Sequence, residues 1–461
     1  MTLIKSISGI RGTIGGKQGE SFSPLDAVKF AAAFGTWLKN TERTPKVVLG
    51  RDARVSGAMI SNLVISTLQS VGVDVINLGL STTPTVEMAV PMEQAGGGII
   101  LTASHNPGNW NAIKMLDATG EFVSAEDSKA ILAIADREDF EFSPVHALGK
   151  VTEDDSYIDK HIEKVLELPL VDVESIKEKK FRVVIDCVNS TGGIALPKLL
   201  DALGVEHIER LYCEPNGKFP HNPEPLPEHL TELSSKLEDG NFHLGFVVDP
   251  DVDRLAIMCE DGTAFGEEYT LVAVADYVLQ NTPGNTVSNL SSTRALRDVT
   301  EKNGGEYHAS AVGEVNVVKK MKETNAVIGG EGNGGVIYPD LHYGRDALVG
   351  IALFLSHLAK FNGTTKMLKM SYPNYHISKN KIELTPEINV DNVLEGIADK
   401  YKNQPINTVD GVKIEFDQEW VHLRKSNTEP IIRIYSESTS ESTANHLANK
   451  IISDIKEVIS A

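Results

Sequence analysis

The sequence predicts an α/β protein with three similar α/β domains, each with a mixed, largely parallel sheet, and a smaller C-terminal α+β domain. One unit, made of a strand, a polar loop, a helix, a glycine turn and a second strand, occurs three times. Such alternation is typical of parallel sheets. The length of 461 residues fits three or four domains. We expect domains over residues 1–150, 151–260, 261–370 and 371–461.

The first copy follows a predicted helix that has Ser23 as its N-cap and Pro24 at its first position. The three copies share one order of strand, helix and strand. In the first copy, residues 45–52 form a strand that enters a polar loop, followed by a helix at 56–70 and a strand at 74–78. The second copy covers 182–186, 192–203 and 205–211, and the third covers 286–290, 293–303 and 306–309. One large sheet holding all three copies is the alternative, since such units are generic.

The chain changes character after Ser371. Residues 372–375 resemble a linker, and the expected elements beyond it are a helix at 391–401, strands at 411–416 and 430–435, and a helix at 441–459. This pattern predicts the smaller α+β domain.

Composition excludes several classes of partner. The net charge of -20 argues against nucleic acid and anionic membranes, which both require a basic face. An anionic substrate would therefore need a locally basic site. The 3 cysteines are widely spaced, which indicates a reducing compartment rather than a disulfide framework or a zinc site. With neither a signal peptide nor an apolar run of membrane-spanning length, we expect a cytoplasmic protein.

An acidic motif lies between two apolar, strand-like segments. Asp249, Asp251 and Asp253 alternate along the chain and are followed by Arg254. Three carboxylates this close repel one another unless a cation neutralises them, and hard oxygen ligands suit Mg²⁺. An EF-hand is disfavoured, because Arg254 takes the position that needs glycine and the flanks are not helical. A solvated acidic turn remains the alternative.

A serine lies at a tight turn after the apolar strand 98–100. Ser104 is followed by His105, and Lys114 comes ten residues later. A serine at a strand end is usually a turn residue. A phosphorylated serine, however, would be stabilised by both side chains. Together with the acidic motif, it indicates phosphoryl transfer.

Three further segments carry anion- or sugar-binding chemistry. Arg11 lies between two glycines, which leave its guanidinium uncovered. The glycine-rich run 329–335 contains Glu331 and Asn333, and an acid with an amide suits sugar hydroxyls better than phosphate. The last segment offers several anion donors, namely Arg424, Ser426, Asn427 and Thr428, with Arg433 nearby. Ordinary turns are the alternative for each segment.

In this order the motifs resemble the α-D-phosphohexomutase family of phosphoglucomutase, phosphomannomutase and phosphoglucosamine mutase, over nearly the whole chain. The resemblance implies four domains around a central cleft. It also implies phosphoserine Ser104, Mg²⁺ held by the three aspartates and the Ser104 phosphate, and Arg254 near the phosphoserine. Arg11 and Lys114 would assist proton transfer, Glu331 and Asn333 would bind sugar, and residues 424–428 would clamp phosphate. The implied ligands are a hexose phosphate and a hexose 1,6-bisphosphate.

One segment departs from many bacterial members, which read Gly-Glu-x-Ser-Gly-His in the sugar loop. Here Asn333 and Gly335 replace the serine and the histidine, so the usual candidate base is missing. The loop resembles that of archaeal-type phosphoglucosamine mutases, which favours conversion of glucosamine 6-phosphate to glucosamine 1-phosphate. Phosphoglucomutase/phosphomannomutase activity is the alternative. An aspartyl-phosphate phosphatase that uses Asp249 is a further alternative, but it leaves Ser104 without a role. A non-enzymatic sugar-phosphate sensor is another, but it would not need the metal motif.

Overall fold

Four separate sheets form the framework of the protein. The computed structural model describes residues 2–6, 9–385, 388–425 and 431–460. Each of the three predicted copies forms its own sheet, so the alternative of one large sheet is wrong. The predicted helices and strands of the copies are present, with ends that differ by about two residues.

Domain I is built on a seven-stranded sheet with helices on both faces. Its elements are β1 (Ile4–Ser6), β2 (Gly9–Thr13), α1 (Pro24–Asn40), β3 (Lys46–Arg51), α2 (Gly57–Ser70), β4 (Asp74–Leu80), α3 (Thr83–Met92), β5 (Gly97–Leu101), β6 (Trp110–Leu116), α4 (Ala125–Arg137), a 3₁₀ turn (Val145–Ala147) and β7 (Val151–Glu153). The strand order is β1-β2-β6-β5-β3-β4-β7. Helix α1 begins as predicted at Ser23, whose side chain accepts from the Asp26 N–H in a capping box.

Domain II has a four-stranded sheet in the order β11-β10-β8-β9. Its elements, with two helices that precede the sheet, are α5 (Tyr157–Leu166), α6 (Val173–Lys179), β8 (Arg182–Asp186), α7 (Gly192–Ala202), β9 (His207–Leu211), a 3₁₀ turn (Pro227–His229), α8 (Thr231–Asp239), β10 (Leu244–Val248) and β11 (Leu255–Cys259). Strands β10 and β11 are buried along their whole length, as expected for apolar strands covered on both faces.

Domain III repeats this arrangement in the order β13-β12-β14-β15. Its elements are α9 (Glu267–Asn281), β12 (Asn285–Asn289), α10 (Ala295–Lys302), β13 (Tyr307–Ser310), α11 (Glu314–Thr324), β14 (Ala326–Glu331), β15 (Gly335–Ile337), α12 (Ala347–Lys360) and α13 (Thr365–Met370). Strand β14 extends through the first half of the glycine-rich run, so the predicted loop is the tight connection from β14 to β15.

Domain IV is a five-stranded antiparallel sheet in the order β16-β20-β19-β18-β17. Its elements are β16 (His376–Glu383), α14 (Val390–Lys400), β17 (Ile406–Asn407), β18 (Val412–Glu415), β19 (Trp420–Lys425), β20 (Ile431–Ser438) and α15 (Glu441–Ser460). The two predicted helices are present. Of the five strands, only β18 and β20 correspond to predicted ones.

The three α/β sheets place their functional loops at equivalent positions. Each sheet contains a unit of three parallel strands bordered by an antiparallel strand, and the antiparallel pairs are β5 with β6, β10 with β11, and β14 with β15. The connection between these last two strands carries Ser104 in domain I, Asp249–Arg254 in domain II and Gly332–Gly334 in domain III. The repeat thus brings three unrelated motifs to the same point of three similar sheets.

The apolar cores show how the domains are joined. Domains II and III share one continuous core, whereas domains I and IV each have a main core of their own. A smaller apolar cluster joins Val48, Leu78 and Val86 of domain I to Tyr157 of α5. In the part of the chain that the structure describes, every helix is too short or too polar to cross a membrane.

Candidate functional site

The acidic loop between β10 and β11 is the centre of the site. The side chains of Asp249, Asp251 and Asp253 are fully buried, and one oxygen of each lies within 4.8 Å of the others. Because both flanks are strands, the EF-hand alternative is wrong. Val252, at the middle of the loop, has a φ of 64°, a left-handed conformation that is strained for a β-branched residue.

The electrostatics of this loop call for a cation. Burial, followed by the charges of Asp251 and Asp253, raises the pKa of Asp249 well above its usual range. Among the described residues, Asp251 Oδ1 and Asp253 Oδ1 are buried without a hydrogen-bond partner. Burying a carboxylate oxygen without a hydrogen-bond partner costs free energy. Together the three aspartates offer the oxygen ligands that a hard divalent ion prefers. The residues present therefore fit the expected metal.

Ser104 reaches this loop from domain I. Its Oγ donates a hydrogen bond to Asp249 Oδ2 at 2.7 Å, and its N–H donates to Thr102 Oγ1 at 2.9 Å. The φ of Ser104 is 47°, again in the left-handed region. The strained turn after β5 thus directs the hydroxyl at the carboxylates of the next domain.

The serine turn is held by Arg54, which the sequence analysis missed. This residue is only 1% exposed. Its Nε donates to Asp52 Oδ2 at 3.0 Å, and its Nη atoms donate to four carbonyl oxygens, those of Ser104, Asn106, Pro107 and Trp110, at 2.6 to 2.9 Å. All five guanidinium N–H donors are therefore used. The signal in the sequence is weak, because the acceptors are backbone atoms some 50 residues away.

Two more side chains of domain I fix the acidic loop. Lys114 Nζ lies 3.0 Å from Asp251 Oδ2, and Thr83 Oγ1 donates to the same oxygen at 2.7 Å. The Thr83 N–H also donates to the Asp251 carbonyl at 2.8 Å. Burial lowers the pKa of Lys114, but Asp251 and Asp253 outweigh it and raise the pKa above the ordinary value. Lys114 is therefore a cation in this site.

His105 lies beside the serine but is not charged. Its Nδ1 is 3.4 Å from Ser104 Oγ. Burial, followed by the charge of Arg254, lowers the pKa of His105 to about 2. The side chain is thus neutral at physiological pH and is suited to orienting a hydroxyl or a phosphate oxygen.

The glycine-rich loop of domain III joins the acidic loop through Arg345, a second residue that sequence analysis missed. The guanidinium lies 2.8 Å from Glu331, 2.5 Å from Asp253 and 3.0 Å from Glu314. Asn333 Oδ1 accepts from the Gly335 N–H at 3.2 Å. Gly334 has a φ of 86°, and a Cβ there would lie 2.3 Å from the Leu255 carbonyl oxygen, so only glycine allows the two loops to meet.

Cations from three domains converge on one region. Burial, then the charges of Arg433 and Arg254, lowers the pKa of Arg11, so the three guanidinium groups are near enough to interact electrostatically. In the described part of the chain, Arg11 Nε and Arg254 Nε are buried without a hydrogen-bond partner. These unused donors supply the local positive charge that an anionic ligand needs in a protein of net charge -20.

Arg424 and Arg433 face each other across β19 and β20 of domain IV. Like charges directly opposite are unfavourable without an anion between or beside them. Arg424 Nε forms an ion pair with Asp410 at 2.7 Å. The predicted clamp residues Ser426, Asn427 and Thr428 lie outside the described residues.

Comparison with known proteins agrees with this geometry. Models described as phosphoglucomutase/phosphomannomutase, alpha/beta/alpha domains I, II and III, match residues 3–142, 155–262 and 266–375, and the model of the C-terminal domain matches residues 383–453. The chain belongs to this family, and the protein is an isomerase of the phosphohexomutase type.

Two relatives and one solved structure show how far the similarity extends. A phosphoglucomutase/phosphomannomutase of Thermococcus kodakarensis is 38% identical over 440 residues, which cover 94% of this chain and 95% of the relative. A phosphoglucosamine/phosphogalactosamine mutase of Sulfurisphaera tokodaii is 31% identical, over 96% of this chain and 97% of its own. A crystal structure of a family protein from Burkholderia thailandensis has a TM-score of 0.84 at 25% identity and covers 99% of this chain and 98% of its own.

Proposed function

We propose that the protein moves a phosphoryl group between the 6- and 1-positions of a hexose phosphate through phospho-Ser104 and a hexose 1,6-bisphosphate. The observation that carries this proposal is the 2.7 Å hydrogen bond from Ser104 Oγ to Asp249 in a fully buried carboxylate cluster. A serine that had only a turn role would not need a metal-type site against its hydroxyl.

Asp249, Asp251 and Asp253 would hold Mg²⁺ together with the phosphate on Ser104. The unpartnered oxygens of Asp251 and Asp253 support this assignment. When bound, Mg²⁺ neutralises charge on the phosphoryl group that is transferred.

The residues around the serine would control the transfer itself. In the first half-reaction the bond from phosphorus to Ser104 Oγ breaks and a bond to the free sugar hydroxyl forms, while the hydroxyl proton is passed to Ser104 Oγ. We assign assistance in this proton transfer to Arg11 and Lys114. Arg254 and the neutral His105 would orient the phosphate. The second half-reaction reverses these steps with the other phosphate of the bisphosphate.

Domains III and IV would hold the rest of the substrate. Glu331 and Asn333 would bind the sugar, and the fixed position of Glu331 against Arg345 supports a rigid sugar platform. Arg424, Arg433 and the segment 426–428 would hold the phosphate that is not reacting. One role per domain follows: phosphoserine in domain I, metal in domain II, sugar in domain III and phosphate in domain IV.

The preferred sugar in this proposal is glucosamine 6-phosphate, because the Glu-Gly-Asn-Gly-Gly loop resembles that of archaeal-type phosphoglucosamine mutases. Glucose or mannose phosphate is the second candidate, favoured by the relative that is 38% identical and is named phosphoglucomutase/phosphomannomutase.

A coupled assay tests both parts of the proposal. Glucosamine, glucose and mannose 6-phosphates are compared with 1,6-bisphosphate present, and the highest kcat/KM identifies the substrate. Ser104→Ala should lose the phosphorylated mass species and the mutase activity, whereas Ser70→Ala, at a helix end in the same domain, should keep both. Full mutase activity in Ser104→Ala would contradict the mechanism. A phosphatase would keep turnover in that variant and lose it in Asp249→Ala, and a sensor would bind sugar phosphates without turnover.

A further inference from the structure

A second group of metal-type ligands lies outside the site described above. His161 on α5, His342 after β15 and Asp346 at the start of α12 bring one ligand atom each within 4.8 Å of the others. Both histidine Nε2 atoms approach the same carboxylate oxygen, Asp346 Oδ2, at 2.9 Å for His161 and 3.3 Å for His342. We propose that these three side chains bind a divalent transition-metal ion of the Zn²⁺ type.

The spacing of the ligand atoms fits such an ion. Zinc bonds to histidine nitrogen and carboxylate oxygen are about 2.0–2.2 Å long, so neighbouring ligand atoms of a tetrahedral site lie roughly 3.3–3.5 Å apart. The two separations from Asp346 Oδ2, 2.9 and 3.3 Å, differ from these values by a few tenths of an ångström, and all three ligand atoms lie within 4.8 Å of one another. Two imidazoles and one carboxylate also select a transition metal over Mg²⁺, which prefers oxygen ligands only.

The atoms behind the ligands are arranged as in metal sites, where each histidine donates its other N–H to a partner. His161 has such a partner, since its Nδ1 lies 2.9 Å from Thr85 Oγ1. His342 Nδ1 lies 3.5 Å from Glu87 Oε2, which is too long for a hydrogen bond but places an acceptor beside it. With Nε2 on the metal, the proton of a neutral imidazole is on Nδ1, facing these acceptors. The second oxygen of Asp346 accepts from the N–H groups of Leu348 and Val349 at 2.8 and 3.4 Å.

Glu87 gives an independent reason for a cation here. This residue is 2% exposed, and within the described ranges neither of its carboxylate oxygens has a hydrogen-bond partner. Its Oε2 lies 3.5 Å from His342 Nδ1. A Cβ at Gly344 would lie 1.9 Å from Glu87 Oε2, so a glycine keeps room for this carboxylate beside the histidine. A bound metal would fix the His342 proton on the side that Glu87 faces.

The proposed metal would brace the catalytic centre without taking part in chemistry. Asp346 directly follows Arg345, which pairs with Asp253 and Glu331. Thr85 lies two residues after Thr83, which donates to Asp251. One ion would therefore link domain III to α5 directly and, through the contact of His161 with Thr85, to the start of α3. It would lie next to the segments that hold Arg345 and Thr83. Its ligands are buried except for His342, whose side chain is 13% exposed and offers an entry path. The inference does not depend on the proposed reaction.

Metal analysis tests the site directly. Metal-stripped protein is reconstituted with Zn²⁺ or Co²⁺ in excess Mg²⁺, which occupies the all-oxygen aspartate site, and is then desalted. Wild type and the exposed-histidine control His446→Ala should retain one equivalent of Zn²⁺, whereas His342→Gln and His161→Asn should retain none. The Co²⁺ protein should show the visible bands of nitrogen-ligated cobalt, which the two variants lack. Zinc should raise the thermal midpoint of wild type but not of these variants.

The Glu87→Gln variant keeps all three ligands. It therefore distinguishes a metal site from a cluster that is held together by hydrogen bonds alone. It should weaken zinc affinity by about 10- to 100-fold, measured by chelator competition, because the partner of a ligating histidine is altered. Retention of no zinc by wild type would overturn the proposal. Equal zinc in wild type and His342→Gln, with circular dichroism confirming that both are folded, would also overturn it.

Discussion

Replacement of Arg54 by lysine tests whether the serine turn depends on a single buried guanidinium. Arg54 donates to Asp52 and to four carbonyl oxygens around Ser104. Lysine keeps the positive charge beside Asp52, so the carboxylate is not left uncompensated. It has three N–H donors rather than five, and they cannot reproduce the planar fork.

The expected loss follows from the number of acceptors left without a donor. At least two of the five acceptors lose their partner, and an unsatisfied buried acceptor costs about 1–3 kcal/mol. The lower bound for two acceptors is about 2 kcal/mol, which corresponds to a loss of roughly 30-fold if the turn must be closed for reaction. Because Ser104 itself is held at a φ of 47°, the weakened turn will relax towards ordinary backbone conformations.

Steady-state kinetics and hydrogen exchange measure this effect. Arg54→Lys should lower kcat/KM by about 30-fold or more and speed amide exchange in the peptide that spans 102–110, with little change in domain IV. Arg43→Lys is the control, since that guanidinium lies over the Trp37 ring, 4.4 Å from its centroid, away from the turn. If Arg54→Lys keeps kcat/KM within twofold and its exchange rates match wild type, the turn does not rely on the guanidinium fork.

Three further predictions address the metal, the clamp and pH. Asp251→Asn should raise the Mg²⁺ concentration for half-maximal activity by at least about tenfold, because one charged interaction of about 1.5–3 kcal/mol is lost; unchanged activity in excess EDTA would argue against the site. Arg424→Ala should lower kcat/KM by about 10- to 100-fold and spare Ser104 phosphorylation, while Arg297→Ala, which removes an ion pair to Glu415 at the boundary of domains III and IV, serves as control. Burial lowers the pKa of His422 from 6.5 to about 4. Between pH 4 and 6.5 the unfolded chain therefore binds more protons than the folded one, so the free energy of unfolding must fall as the pH drops through this range. The thermal midpoint of His422→Asn should fall less steeply over that range than that of wild type, and parallel curves would contradict the assignment.

The sequence predicted the parts of the fold that carry a periodic signal. The βαβ copies, α1 with its Ser23 cap and the apolar strands β5 and β10 are local patterns, so each could be recognised without knowledge of the rest of the chain. In domain IV the pattern failed. Strand β16 lies at the sheet edge with no fully buried position, and β19 mixes Arg424 and His422 with apolar residues. Pairing with β20 determines both strands, and no local window contains that information.

The site was predicted where a motif has its chemistry in consecutive residues. Ser104, the aspartates and Lys114 do come together, and Arg11 is near enough to Arg254 and Arg433 for their charges to lower its pKa. Arg54 and Arg345 were missed because their partners are backbone carbonyls or carboxylates from distant segments. A single arginine that belongs to no motif gives no sequence signal. Its role can be recognised only in the folded structure, where its hydrogen-bond acceptors surround it.

The position of Arg345 in the chain has a consequence for synthesis on the ribosome. The acidic loop is complete at residue 254, but the guanidinium that neutralises Asp253 lies 92 residues further on. At about 5–20 residues per second, the nascent chain must wait roughly 5–20 s for it. During that interval Asp253 lacks the guanidinium that pairs with it in the folded protein, so we expect the tip of domain II to stay hydrated or ion-bound while its sheet forms. We therefore expect burial of the acidic loop to be a late event in maturation, and a chain arrested before residue 345 to expose it to solvent.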